Sequence, residues 1–226
     1  MDRKRAEEFN SRRYPRGFLS KADLRHHIVR EMIGDDKPKK ILDVGCNDGL
    51  LGQLLLDDGH EVFGVDVSET ALDLARERGL KVERVNLETD KLPFENKSLD
   101  VVTACEVIAH IYDTGHLFRE VRRVLKKGGL FIITTPNAVS LGRRITYLFG
   151  IGAFFEASLE DEGAAGAIRF FTKDLLFRLL RRHRFVPQVF TSDFVNVGRR
   201  GIIRSRTLAK IFPTLGASLI VSSRKV

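Results

Sequence analysis

The side chains in this sequence best suited to chemistry stand where apolar runs end. Asp43 falls near the end of "KILDV" and leads into a turn at 45–49. Asp66 closes "EVFGVD", Asn86 closes "KVERVN", and Glu106 follows "LDVVTA". If these runs are parallel strands, their carboxyl ends form a row of hydrogen-bonding groups at the edge where open α/β sheets hold ligands. Asp66 comes 21 residues after Gly45, and a carboxylate so placed accepts two hydrogen bonds from a ribose diol. A dinucleotide turn reads G-x-G-x-x-G, its later glycines admitting a pyrophosphate and packing the helix. Gly45, Asn47 and Leu50 occupy those positions, so the second and third glycines are missing. No G-K-[ST] follows, which excludes a Walker loop.

The ligand expected is therefore an adenosine without phosphates, and S-adenosylmethionine meets that description. Its sulfonium is an activated methyl donor, so transfer needs little beyond alignment and exclusion of water. A base helps only where the acceptor starts as a neutral hydroxyl or protonated amine.

The elements that must position these groups follow from pattern. Leu24, Ile28 and Met32 recur at four-residue spacing, predicting a helix over 22–33 ended by Gly34 and Pro38. Strands are expected at 40–44, 61–66, 81–86, 99–104 and 130–135. Helices are expected at 50–59, at 68–79 with Ser68 as N-cap and Gly79 as stop, and at 116–129 ended by two glycines. Alternating strands and helices with short connections give an α/β fold, a parallel sheet with helices on both faces. Beyond Asn137 the pattern changes. Apolar residues with basic interruptions fill 138–155, and an acidic, then small-residue stretch fills 156–167. A helix capped by Thr172 and strands at 186–194 and 217–225 complete the chain. The reading is one domain over 1–226, with a helical extension at 1–38 and a lid or insert at 138–168.

Composition bounds the rest. With 226 residues, 43% hydrophobic and 30% charged, this is an ordinary globular chain. Cys46 and Cys105 cannot form a secreted-type disulfide framework. "MDRKRAEEFN" lacks the apolar core of a signal peptide, and no run reaches the length of a membrane span. A cytoplasmic location is expected. The net charge of +8 is uneven: residues 163–226 carry 13 Lys/Arg against 2 Asp/Glu. That basic flank either aids solubility or meets an acidic partner such as phosphate, nucleic acid or anionic lipid.

"ILDVGCNDG", "VFGVDVSETALDLAR", "LPFENKSLDVVTACEVIAHI" and "VRRVLKKGGLFIITTPN" resemble, in order and spacing, the class I SAM-dependent methyltransferases, nearest to the branch acting on quinones, sugars and other small molecules. The resemblance implies a Rossmann-like, mostly parallel seven-stranded sheet with an antiparallel last strand. It also implies cofactor-binding roles. Asp43, Gly45, Cys46 and Asn47 would lie against the methionine moiety, and Asp66 would bind the ribose with Val67 beside the adenine. Asn86 and Leu87 would contact the adenine, where the family more often has Asp at the Asn86 position. Ala104 and Cys105 would pass beneath the cofactor, and Arg25 would meet the methionine carboxylate.

Two departures bear on mechanism. Relatives often read E-V-x-E-H-I where this chain has "EVIAHI", and H-I-R-F-F-T where it has "AIRFFT". Ala109 and Ala167 replace a Glu and a His that, in relatives resembling small-RNA methyltransferases, join the other Glu and the His in binding a divalent metal. Glu106 and His110 would share a face of a helical turn but make a poor metal site alone, so no catalytic metal is expected. His110 is the candidate catalytic residue, as base or as orienter of a substrate hydroxyl; the alternative is that it bonds backbone and holds its loop. His26, His27, His60, His116 and His183 are expected on surfaces. Leu141, Ile145, Leu148 and Phe149 follow helical spacing, which core packing would explain, and with Arg143 and Arg144 they would form a lid suited to an acidic lipid or prenylated acceptor. The expectation is methyl transfer to a small or lipid-linked acceptor, with peripheral membrane contact open. The alternatives are a SAM-binding protein with weak or lost catalysis, or an RNA methyltransferase using the basic flanks, although no RNA-binding motif is visible.

Overall fold

The computed structural model describes residues 23–150, 167–197 and 203–226. The helical extension before residue 23 and most of the expected insert, 151–166, lie outside the described residues.

The chain runs α1 (Leu24–Ile33), β1 (Lys40–Val44), α2 (Leu50–Asp57), β2 (Glu61–Asp66), α3 (Glu69–Glu77), β3 (Lys81–Arg84), β4 (Leu99–Cys105), α4 (Thr114–Val124) and β5 (Leu125–Pro136). It continues with α5 (Leu141–Leu148), α6 (Lys173–Arg182), β6 (Phe185–Thr191), β7 (Val195–Val197), β8 (Ile203–Ser205), α7 (Arg206–Ile211), a 3-10 turn (Pro213–Leu215) and β9 (Ser218–Lys225). Seven strands form one sheet in the order β3-β2-β1-β4-β5-β9-β6. β1 through β5 pair in parallel, and β9 runs antiparallel to both β5 and β6. The expected seven-stranded, mostly parallel sheet with an antiparallel last strand is thus present.

The central strands read as continuous apolar runs because both faces are covered. On one face α1, α2 and α3 pack Ile28, Val29, Leu51, Leu55 and Ala75 against Ile41, Val101 and Ile132. On the other, α4 and α6 bring Leu117, Phe118, Leu176 and Leu180 onto Leu42, Val102, Phe131 and Val221. Chain order reverses between β1 and β4, which places a switch-point crevice at their carboxyl ends.

Several sequence expectations are corrected. The helix expected at 116–129 starts at Thr114 and stops at Val124, since Leu125 is extended (φ −69, ψ 138) and starts β5. Leu125 is fully buried and pairs with Leu99, and the register then shifts so that Leu130 meets Val101, with the "KKGG" residues looped out between. Helix-favouring lysines lose here to a buried leucine and two glycines. The strand expected at 186–194 ends at Thr191, and a separate β7–β8 ribbon follows that no alternation signalled. Residues 106–110 form no helical turn: Glu106 has φ +60 and a tight turn returns His110 N–H to Val107 O at 2.9 Å. His60 is buried at 5% exposure rather than on the surface, and only His27 of the five is fully exposed. Core packing does not account for the spacing in α5, since Leu148 and Phe149 are 83% and 76% exposed and no α5 residue is buried.

Candidate active site

The turn after β1 is built from left-handed residues. Gly45, Asn47 and Gly49 have φ of +68, +48 and +80. Asn is among the side-chain residues that tolerate this region. Gly45 is required twice, because a Cβ there would also meet Val107 Cγ2 at 2.4 Å. Gly45 and Cys46 N–H groups both donate to Val65 O, at 2.7 and 3.1 Å, tying the turn to β2. Arg78 clamps it from α3's end, its Nε donating to Asp48 O at 2.8 Å and Nη1 to Gln53 Oε1 at 3.0 Å.

Asp66 ends β2 beside this turn. Its Oδ2 accepts from Asn47 N at 3.0 Å and its Oδ1 from Ser68 N at 3.0 Å. The Val67 N–H also bonds it, and since a carboxylate has about four lone-pair sites, one direction stays open toward a diol. Asp43 lies deeper, 3% exposed, and its Oδ1 accepts from Thr103 Oγ1 at 2.6 Å across the β1–β4 pair. Burial pushes Asp43 up to about 7, opposed by the Thr103 hydrogen bond and reinforced by Asp66. Burial also raises Asp66, against the backbone N–H groups that lower it. No Lys or Arg among the described residues contributes to either shift.

That electrostatic state tests the cofactor. A pyrophosphate would add negative charge beside two carboxylates that already resist ionising. S-adenosylmethionine brings a positive sulfur and an ammonium, the counter-charge this edge lacks, and no phosphate. The residues fit it.

The other expected cofactor residues are placed as follows. Cys46 turns its thiol onto β2, where a Cβ on Gly64 would meet Sγ at 2.6 Å. Cys105 lies at the end of β4, and burial pushes both thiols up, so they stay protonated. Val67 O accepts from Arg84 Nε at 3.1 Å. Asn86 stands beyond β3 and heads a turn, its Oδ1 accepting from Glu88 N at 3.0 Å, while Leu87 packs against the α4-side core. Ala104 is fully buried within β4. Arg25 faces carboxylates of this chain: it pairs with Asp23 and, through Nη1, with Glu106 Oε1 at 3.1 Å.

Glu106 marks where the row of strand ends opens into a cavity. Thr134 Oγ1 donates to its Oε1 at 2.9 Å, and burial raises its carboxyl while Arg25 and Thr134 hold it down. The cavity, about 380 Å³, is lined by Arg25, Glu106, Asp193, Phe194, Arg204 and Ser218 among others. His110 does not line it. It sits half-buried in the turn beyond. Ala109 and the Ala167 segment are neighbours, since Ala109 O accepts from Ile168 N at 2.8 Å and Arg169 N at 3.1 Å. The two positions where relatives carry Glu and His therefore come together in space.

Sequence reasoning missed Asp193, Phe194 and Arg204. Asp193 is 3% exposed and accepts from Ser218 N at 3.0 Å and Ser218 Oγ at 3.0 Å, so it fastens the start of β9. A signal existed: Asp174 and Asp193 are the two acids in residues 163–226, and Asp174 sits in the first turn of α6, where an acid has a helix-dipole reason to be. Asp193 had none.

Comparison with known proteins agrees with this fold. Residues 42–133 match the family model described as a methyltransferase domain. A ubiquinone biosynthesis O-methyltransferase of Aliivibrio fischeri is 33% identical over 164 residues, covering 70% of this chain and 68% of that protein. A Mycobacterium tuberculosis protein bearing the name probable S-adenosylmethionine-dependent methyltransferase is 32% identical over 117 residues, 51% of this chain and 43% of its own length. The chain thus spans about half or less of the first curated relatives it matches. A solved S-adenosylmethionine dependent methyltransferase from Mesorhizobium loti superposes with a TM-score of 0.64 at 20% identity, covering 90% of this chain and 99% of that one, a likeness of fold. The chain belongs to the class I SAM-dependent methyltransferases, and S-adenosylmethionine is its cofactor.

Proposed function

We propose that this chain transfers a methyl group from S-adenosylmethionine to an oxygen of a small or lipid-linked acceptor, without a catalytic metal. The observation that carries this reading is the continuity of the edge. Cation-poor carboxylates at β2 and β1 suit the cofactor, and a separate cavity opens next to them at β4. The naming of several relatives as ubiquinone biosynthesis O-methyltransferases supports an oxygen acceptor with a prenyl tail.

In this reading Asp66 holds the ribose, and the 45–49 turn with Asp43 faces the methionine part. Val67, Asn86 and Leu87 border the adenine, and Ala104 and Cys105 form the floor. The bound cofactor supplies a methyl carbon activated by the positive sulfur it leaves. The protein's work is to align the acceptor oxygen, exclude water and receive the hydroxyl proton. His110 is the candidate for that last step.

A second reading, a SAM-binding protein with weak or lost catalysis, is favoured by the meeting of Ala109 and the Ala167 segment where relatives place metal-binding side chains. One experiment separates them: cofactor affinity by calorimetry beside methyl transfer to a panel of catechols, hydroxybenzoates and prenylated phenols, with and without a chelator. The expected result is oxygen methylation that chelation leaves unchanged, with His110→Ala slowing turnover far more than it weakens cofactor binding. Tight cofactor binding with no turnover on any acceptor would establish the second reading.

A further inference from the structure

Beyond the catalytic edge, the second half of the chain builds a cap with an unusual surface. α5 and α7 both pack against β7, and the inner side of this unit is anchored by fully buried Val195 and Ala209. The outer side is apolar where a water-facing helix should be polar. Each helix ends in a bare apolar pair: Leu148 and Phe149 after α5, and Ile211 and Phe212 after α7, the latter two 61% and 52% exposed. Ile145, Tyr147 and Leu208 add partly exposed area on the same two helices.

The cap's own charges have one sign, and the acids beside it include Glu31 on α1, near Arg206, and Asp174 on α6, which shares a small pocket with Arg144. Arg144, Arg204, Arg206 and Lys210 are exposed, and residues 137–150 and 203–226 contain no Asp or Glu. Arg206 meets the cap's neighbour α1 only loosely, 3.8 Å from Glu31. The acids of this half of the sequence nearest α5, Glu156, Glu160, Asp161 and Glu162, lie outside the described residues. Large apolar side chains exposed in pairs and ringed by arginine and lysine match the interface of an anionic bilayer, where apolar groups enter the acyl boundary and cations meet headgroups.

We propose that the cap formed by α5, the β7–β8 ribbon and α7 docks on an anionic lipid membrane through Leu148, Phe149, Ile211 and Phe212, with Arg144, Arg206 and Lys210 facing the headgroups. The ribbon also contributes Arg204 to the cavity beside Glu106, so docking surface and cavity are continuous. The docking stands apart from methyl transfer, and its test uses neither cofactor nor acceptor.

The experiment is co-sedimentation of the full chain with vesicles of phosphatidylcholine alone and of phosphatidylcholine with an equal part of phosphatidylglycerol. Binding to the mixed vesicles only is expected, weakening as salt is raised. Leu148→Asp with Phe149→Asp, and Ile211→Asp with Phe212→Asp, should each lower the partition by at least about tenfold. Arg144→Gln or Lys210→Gln should lower it about fivefold. Val226→Asp, exposed beyond the end of β9 that lies away from the ribbon, should leave it unchanged. All these positions are exposed, and an unaltered melting temperature confirms each variant folds. Absence of binding to both vesicle types, or equal binding by parent and paired variants, overturns the proposal. So does a dimer in sedimentation velocity that the same variants disperse, because the patch then serves a second copy. Salt-sensitive RNA binding without vesicle binding assigns the surface to a different polyanion.

Discussion

Asp43 shows what a residue's position leaves unsaid. Its place near the end of an apolar run was plain in the sequence, and so was its nearness to the glycine turn. Its protonation was not, because that depends on Thr103, sixty residues away, and on the solvent that β2 and β4 exclude. The pH dependence follows from the direction of the shift. The folded carboxyl is raised from 3.8 to about 7, so the unfolded chain releases this proton first. The stability tied to the protonated form is fully present below about 4 and is lost as pH rises toward 7. A shift of that size corresponds to a loss on the order of 4 kcal/mol. Urea unfolding of the ligand-free protein should show stability falling between about pH 4 and pH 7, while Asp43→Asn, which has nothing to ionise there, should lack that part of the fall. Parallel curves for the two proteins would show that Asp43 ionises in its ordinary range. The same buried charge explains why a cationic ligand suits the edge: it supplies what the folded chain withholds from Asp43.

Among the elements, the first two strands were legible to their limits and later boundaries were not. β1, β2 and β4 announce themselves as buried apolar runs. The α4–β5 junction did not, because "VLKK" favours a helix locally, and only the pairing of Leu125 with Leu99 makes it a strand. The exposure of α5 was equally hidden: its spacing is that of a packed helix, and nothing local says that no partner covers it. α2 offers a test of local preference against packing. Gly52 lies inside that helix, where alanine would be favoured by about 1 kcal/mol. A Cβ there would meet Leu80 Cδ2 at 2.2 Å and Cγ at 3.0 Å, and Leu80 is 4% exposed within the α1–α3 core. Overpacking of a buried site costs roughly 1–3 kcal/mol, so packing should win. Gly52→Ala is expected to lower the urea midpoint, and Leu80→Val added to it should recover part of the loss. A higher midpoint for Gly52→Ala would mean that Leu80 moves aside freely and that propensity governs this contact.

Across the molecule, legibility divides near Asn137. Before it, each strand is followed by the segment that returns the chain to the next, so local signals give the elements, the α4–β5 junction apart, and the candidate cofactor residues could be named from the strand ends. After it, β9 inserts between β5 and β6, the ribbon stands apart, and the cavity takes residues from α1, the turn after β4, β5, the β6–β7 connection, β8 and β9. Contacts of that range leave little local trace, which is why Arg204 escaped notice and Asp193 was marked only by its isolation as an acid in a basic stretch. In the proposed reading the first half holds the cofactor by itself, and its hold can be weighed thermally. Ligand at about 100 times its Kd stabilises the folded state by about 2.7 kcal/mol, and for a chain of this size each kcal/mol raises Tm by about 2–4 °C. S-adenosylmethionine or its demethylated product should therefore raise Tm by about 5–10 °C. Asp66→Ala removes the carboxylate proposed to hold the ribose, with charge-assisted bonds worth about 1.5–3 kcal/mol each. At the same ligand concentration the shift, measured from the variant's own unliganded Tm, should vanish. NAD should give no shift with either protein, since its pyrophosphate would meet Asp43 and Asp66 without a cation between them. An equal shift with NAD, or a full shift in Asp66→Ala, would move the adenosine off the β2 end and the acceptor away from the Glu106 cavity with it.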